Sequence, residues 1–176
     1  MRPPRARTWA PRGQTPVIRV RQGGTGSVSI AGLACFRPGF RTRLICRYHE
    51  YHGRKGEKKA FTWQEYRDLA DAAHRQLPGG MIVLIWDNLN THAQAEKFAL
   101  GSRTWLRTCR LPPYAPDLNP VEGIWSVIKR GPLANLSCPA FSDLVRVLQH
   151  GLRTIQRRPR LIEGCLAETG LTLETT

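Results

Sequence analysis

Residues 1–49 contain no aspartate or glutamate, and the first acidic side chain is Glu50. That stretch therefore offers no carboxylate as acid, base or metal ligand, and its ten arginines have no local counter-charge. Paired cysteines are also absent. Cys35, Cys46, Cys109, Cys138 and Cys165 are widely scattered, which excludes Cys-x-x-Cys zinc motifs and predicts reduced, mostly buried thiols. No apolar run approaches membrane-spanning length, and the arginine-rich start lacks the apolar segment of a secretory signal, so the expected location is cytoplasmic. No internal repeat is present.

What the chain has in excess is positive charge. Lys and Arg total 27 against 13 acids, a net +14 over 176 residues. An imbalance of this size favours a polyanion, because each phosphate contact releases condensed counterions. A solvated basic surface is the plainer account of the same number. The length suits one domain with a core of its own.

Two local patterns carry chemistry. Residues 81–86, Met-Ile-Val-Leu-Ile-Trp, are six consecutive apolar residues after the Pro78-Gly79-Gly80 break. So short a run reads as a strand buried on both faces. Asp87 follows at its carboxyl end, where ligands bind in open α/β sheets, and leads the run Asp87-Asn88-Leu89-Asn90-Thr91-His92. Further on, Asn119 suits an N-cap and Pro120 a first helical position. Val121, Ile124, Trp125 and Ile128 then share one stripe until Gly131-Pro132. This places Glu122 in the first turn, with 34 residues (88–121) between it and Asp87. Two carboxylates so placed can hold divalent metal over a phosphodiester. Each also has a structural alternative: Asn-x-x-Glu resembles a capping box, and Asp after a strand often makes a turn. His92, one helical turn past Asp87, could orient a phosphate or cap the helix start.

Asp87-Asn88-x-x-x-His92 after an apolar strand, followed by Leu111-Pro112-Pro113-Tyr114-Ala115-Pro116-Asp117-Leu118-Asn119-Pro120-Val121-Glu122 before a Trp-bearing helix, resembles the catalytic domain of mariner-superfamily DDE transposases, in their bacterial insertion-sequence branch. The longer motif is the specific one. The likeness runs from Arg7-Thr8-Trp9-Ala10-Pro11-Arg12-Gly13 to the C-terminal helices. It implies an α/β, ribonuclease H-like mixed sheet flanked by helices, with Asp87 and Glu122 as catalytic metal ligands and Asn88 and His92 as companion positions. It further implies two Mg²⁺ or Mn²⁺ ions, DNA as substrate, and cleavage at element ends followed by strand transfer. The family uses three carboxylates, the first on the opening central strand, and residues 1–49 cannot supply it. The expectation is accordingly a single catalytic domain over 1–176, truncated at its start and inactive as it stands. No helix-turn-helix is recognisable, so end recognition would need an upstream segment or a separate protein; a homodimer on DNA is compatible with the sequence but not fixed by it. A non-catalytic DNA-binding relic and a ribonuclease H-like nuclease are the competing readings.

The remaining elements follow from periodicity. Strands are expected over 17–21, 27–36 and 43–49, the last half-solvated, with Leu44, Cys46 and Tyr48 opposite Arg43, Ile45 and Arg47. The charged segment 53–59 is either a solvated loop or a phosphate grip. Thr62 and Glu65 form a capping box for a helix to about residue 77, with Tyr66, Leu69, Ala70, Ala73 and Leu77 buried. A short helix near 93–100, a strand near 105–111 and an amphipathic helix over 140–156 complete the domain. Trp63, Trp105 and Trp125 are assigned to the core, and His49, His52, His74 and His150 to surface or core polar positions.

Overall fold

Two nine-residue strands form the antiparallel hairpin on which the domain is built: β1 (Ser27–Cys35) and β2 (Arg43–Tyr51), in register from Ser27 opposite Tyr51 to Cys35 opposite Arg43. Gly39 in the connecting turn takes a φ of +74°, a conformation that costs a residue with a Cβ but not glycine. The computed structural model describes residues 10–14, 17, 26–138 and 140–172. The strand expected over 17–21 lies outside them except for Val17, which is exposed and in no regular element.

Alternation along β1 sends its side chains to two different cores. Val28, Ile30 and Ala34 pack with Leu44 against Ile124, Ile128, Leu148, Leu152, Ile155 and Ile162. Ala31, Leu33 and Cys35 turn the other way, to Ile45, Phe61, Leu69 and Ala73. The hairpin is thus covered on both faces, and Ile45, expected on a solvated face, is only 7% exposed. Gly32 sits under the Trp125 ring, where a Cβ would come within 2.9 Å of it. The strand can pass beneath the indole only because that position has no side chain.

Helix α1 (Trp63–Gln76) starts at the expected box: Glu65 Oε2 accepts from the Thr62 backbone N–H at 2.8 Å and from its hydroxyl at 2.9 Å. The chain then enters β3 (Ile82–Trp86), crosses through α2 (Asn90–Ala95) and a π-helical turn (Glu96–Leu100), and returns as β4 (Leu106–Arg110), parallel to β3. Leu84, Trp86, Ala95, Leu100 and Leu106 form the core here, with Ala70 of α1. The opposite face of β3 is open: Val83 is 62% and Ile85 55% exposed. This corrects the expectation of a strand buried on both sides. An apolar run fixes that a strand has hydrophobic faces, but not how many of them a neighbouring element covers.

A 3₁₀ turn (Pro116–Leu118) leads into α3 (Pro120–Arg130), followed by α4 (Phe141–Gln156) and α5 (Pro159–Ala167). Helix α5 continues the domain beyond the expected close at 156; Pro159 at its first position and buried Ile162 and Cys165 are the signals that mark it. Trp125 packs on the core of α3–α5, and Trp63 and Trp105 on that of β3 and β4, as expected. The four strands form two separate pairs, β1–β2 and β3–β4, and among the described residues no strand joins them into one sheet. No helix among the described residues is long and apolar enough to cross a membrane.

Glu96 ties the crossover to β4. Its carboxylate accepts from Thr108 Oγ1 at 2.8 Å and from Arg110 at 3.0 and 3.2 Å. The Thr108 hydrogen bond foremost, opposed by partial burial and helped by Arg110, holds its pKa below the ordinary value of a glutamate. A carboxylate with a lowered folded pKa stabilises the fold above its unfolded value, and that contribution disappears as pH falls through the folded one. Thermal melts from pH 6 to pH 3 are therefore expected to show part of the acid destabilisation beginning below about pH 4.5. Glu96→Gln should flatten that part; an unchanged profile would mean the contacts contribute nothing net.

Candidate active site

The parallel ladder puts the end of β3 beside the end of β4, and the carboxyl tips of both open on the same edge. Asp87 comes directly after β3, 58% exposed at its side chain. Its Oδ1 accepts the Leu89 backbone N–H at 3.1 Å, an Asx turn that lets α2 begin without a side-chain cap of its own. His92 Nδ1 stands 2.7 Å from the same oxygen, close enough for an ion pair but not aligned as a hydrogen bond. Asp87 therefore makes the turn that precedes α2 and does not cap it, and His92 buttresses the carboxylate.

His92 is held by rings. It stacks on Trp86 at 4.7 Å with planes 5° apart and meets Tyr66 edge-on at 4.4 Å. Burial pushes its imidazole below the ordinary value by more than neighbouring Asp87 raises it. The two rings hold the imidazole against Asp87 Oδ1. Asn88 acts on the other strand: its side-chain N–H donates to the Leu111 carbonyl at 2.8 Å, while Leu111 N–H donates to the Trp86 carbonyl at 2.8 Å. Together these bonds continue the β3–β4 pairing past its end and anchor the proline-rich loop that follows. Asn88 and His92 thus act through their neighbours.

That loop carries the chain to Glu122. Asn119 Oδ1 caps α3 by accepting from Val121 N–H at 3.1 Å. Among the described residues no hydrogen bond or ion pair engages the Glu122 carboxylate, which is exposed. It does not close a capping box, in contrast to Glu65 of α1. Asp87, Asn88, Asn119 and Glu122 line one cavity of about 380 Å³ walled by Leu111, Pro112, Pro113, Tyr114, Ala115 and Pro116. Tyr114 was not singled out from the sequence, and its φ of +58° lies in the left-handed region, costing about 1–3 kcal/mol for a bulky residue.

The cavity's donors are all oxygen or amide. Carboxylate oxygens of this kind fit a hard divalent cation, while the α3 N-terminus beside them favours an anion such as phosphate. Among the described residues no cluster of three or more His, Cys, Asp or Glu side chains is placed to hold a metal. The two-carboxylate set would leave most of a cation's shell to water.

Elsewhere the residues have structural roles. The five cysteines are free, and burial pushes Cys35 and Cys46 up to about 11. His74 stacks on Trp105 at 4.1 Å, and His49 bonds the Lys58 carbonyl at 2.6 Å. The charged 53–59 segment is a turn pinned by Glu57, whose carboxylate accepts the His52 and Arg54 backbone N–H groups at 2.8 and 3.0 Å. Arg54, Lys55, Lys58 and Lys59 are left exposed.

The molecule is an α/β domain with two carboxylates brought together at a strand-tip crevice. A family model described as DDE superfamily endonuclease matches residues 1–145, and the chain belongs to that family, whose chemistry depends on divalent metal. No curated protein matches the chain. Among solved structures it is similar to the Mos1 mariner paired end complex with Mn, at 18% identity and TM-score 0.49, over 98% of this chain and 53% of that one. It is also similar to the Mos1 Strand Transfer Complex, at 17% identity and TM-score 0.48 over 98% and 52%. For the catalytic domain of Mos1 mariner transposase the values are 18% and 0.45, over 84% and 83%. The chain spans about half the length of the transposase chains in the two complexes.

Proposed function

We propose that this chain is a transposase catalytic domain of the insertion-sequence type, acting on DNA, with Asp87 and Glu122 as its metal ligands. The observation that carries the reading is the convergence of these two carboxylates, from a strand tip and a helix start, on one cavity. Bound there, Mg²⁺ or Mn²⁺ would polarise a phosphodiester and lower the pKa of an attacking water or 3′-hydroxyl. The protein's own part is positional. His92 and the Leu89 N–H hold Asp87 Oδ1; Asn88 sets the loop, and Asn119 starts α3, so that Asp87 and Glu122 line the same cavity.

The absence of acids from residues 1–49 favours a second reading for the polypeptide 1–176 itself: a DNA-binding protein that does not complete the chemistry. Manganese binding followed by electron paramagnetic resonance tests the site independently of turnover. Weak saturable binding is expected for the unaltered chain, lost in Asp87→Ala and in Glu122→Ala while both variants remain folded by circular dichroism. Binding unaffected by either substitution would remove the metal assignment.

A further inference from the structure

We propose that Tyr114 is a stacking platform for an unpaired DNA base next to the phosphodiester held at Asp87 and Glu122. The inference rests on the DNA reading above and deepens it.

Tyr114 is 102% exposed, more than any other large apolar side chain in the described residues. Those residues contain other exposed aromatics, but each has a partner. Phe40 lies under the Arg37 guanidinium at 4.3 Å, Phe98 packs on Trp63 at 5.6 Å, and the Tyr48 hydroxyl meets Gln149. Among the described residues the Tyr114 ring has no ring or cation partner and its hydroxyl no hydrogen bond. Its backbone is at the same time held at φ +58° between Pro113 and Ala115-Pro116. A left-handed tyrosine whose ring covers nothing gains the fold no burial to offset that strain. Backbone strain of this kind gathers where a side chain is presented to a ligand.

The cavity narrows what that ligand is. Tyr114 lines it together with Asp87 and Glu122, so whatever group the carboxylates address has its neighbour beside the ring. The cavity wall next to the ring is largely proline, rigid and apolar, and the chain as a whole carries +14. An anionic polymer with flat apolar faces meets all of these conditions, and nucleic acid is that polymer. Inside a duplex both faces of a base are already covered by its neighbours. Only an unpaired base, at a strand end or turned out of the helix, can lie on a tyrosine.

Binding measured in EDTA separates this stacking from metal chemistry. The probes are a duplex with a three-nucleotide 3′ overhang carrying 2-aminopurine, and the same duplex fully paired. The polypeptides are the unaltered chain, Tyr114→Phe, Tyr114→Ala and Tyr114→Gly. Phenylalanine should match tyrosine. Alanine and glycine should each weaken overhang binding by about fivefold or more and relieve the 2-aminopurine quenching, leaving affinity for the paired duplex unchanged. If Tyr114→Ala binds both probes as the unaltered chain does, the platform is refuted and the DNA reading stands. If glycine restores what alanine loses, the effect belongs to the left-handed backbone, and the platform is again refuted. Failure of the unaltered chain to bind either probe removes the DNA reading and this inference with it.

Discussion

Binding of duplex DNA is expected to weaken by about 10³-fold or more between 50 and 200 mM salt, with little dependence on sequence. The net charge of +14 is not offset by any acidic region in the first 49 residues. The structure also presents exposed cations in separate places: Arg54, Lys55, Lys58 and Lys59 on the pinned turn, and Arg153, Arg157, Arg158 and Arg160 at the end of α4 and the start of α5. Several phosphates neutralised together release several counterions, and the slope of log affinity against log salt counts them. Fluorescence anisotropy over a salt series measures it. Affinity flat in salt, or confined to one sequence, would leave the positive charge as a solubility feature.

The second large effect is a loss of chemistry. The polypeptide 1–176 is expected to leave element-end DNA uncut at the level of a protein-free control, even in Mn²⁺. Two ions about 4 Å apart require a ligand shared between them as well as one for each. Asp87 and Glu122 provide two carboxylates, and one oxygen of Asp87 is already engaged by Leu89 and His92. Gel assays on labelled ends give the result directly. Cleavage abolished by Asp87→Ala and Glu122→Ala would show that two carboxylates suffice; cleavage surviving both would place the chemistry elsewhere.

The parts of the fold legible in the sequence are those that rest on local rules. The Thr62–Glu65 box, the Asn119 cap and the stripes of α1, α3 and α4 are set by neighbours three and four residues apart, and they occur where periodicity puts them. Solvation of strand faces is a tertiary property, and two misreadings fall there. Ile45 alternates with cysteine and tyrosine like a solvent-facing residue, yet α1 covers it; Val83 and Ile85 belong to an unbroken apolar run, yet no described element covers them. Within the site, the pairing of Asp87 with Glu122 followed from motif resemblance, and the structure adds how each is held. The stacking of His92 between Trp86 and Tyr66 has no signature in spacing, because Tyr66 comes from α1 and carries the same apolar weight as any stripe residue. The left-handed backbone of Tyr114 was hidden for a related reason: such a conformation is expected of glycine or asparagine.

The Asn88–Leu111 bond makes the two halves of the motif unequal in what lengths they tolerate. Residues added to the crossover at 101–104 lie outside the β3–β4 pairing, which sets the strand tips against each other whatever the length of chain between them. One residue added between Asn119 and Glu122 instead turns the carboxylate by about 100° around α3, out of the cavity and toward its neighbours' faces. Insertions at 101–104 are therefore matters of loop entropy, whereas between Asn119 and Glu122 they decide whether Glu122 and Asp87 share a site at all.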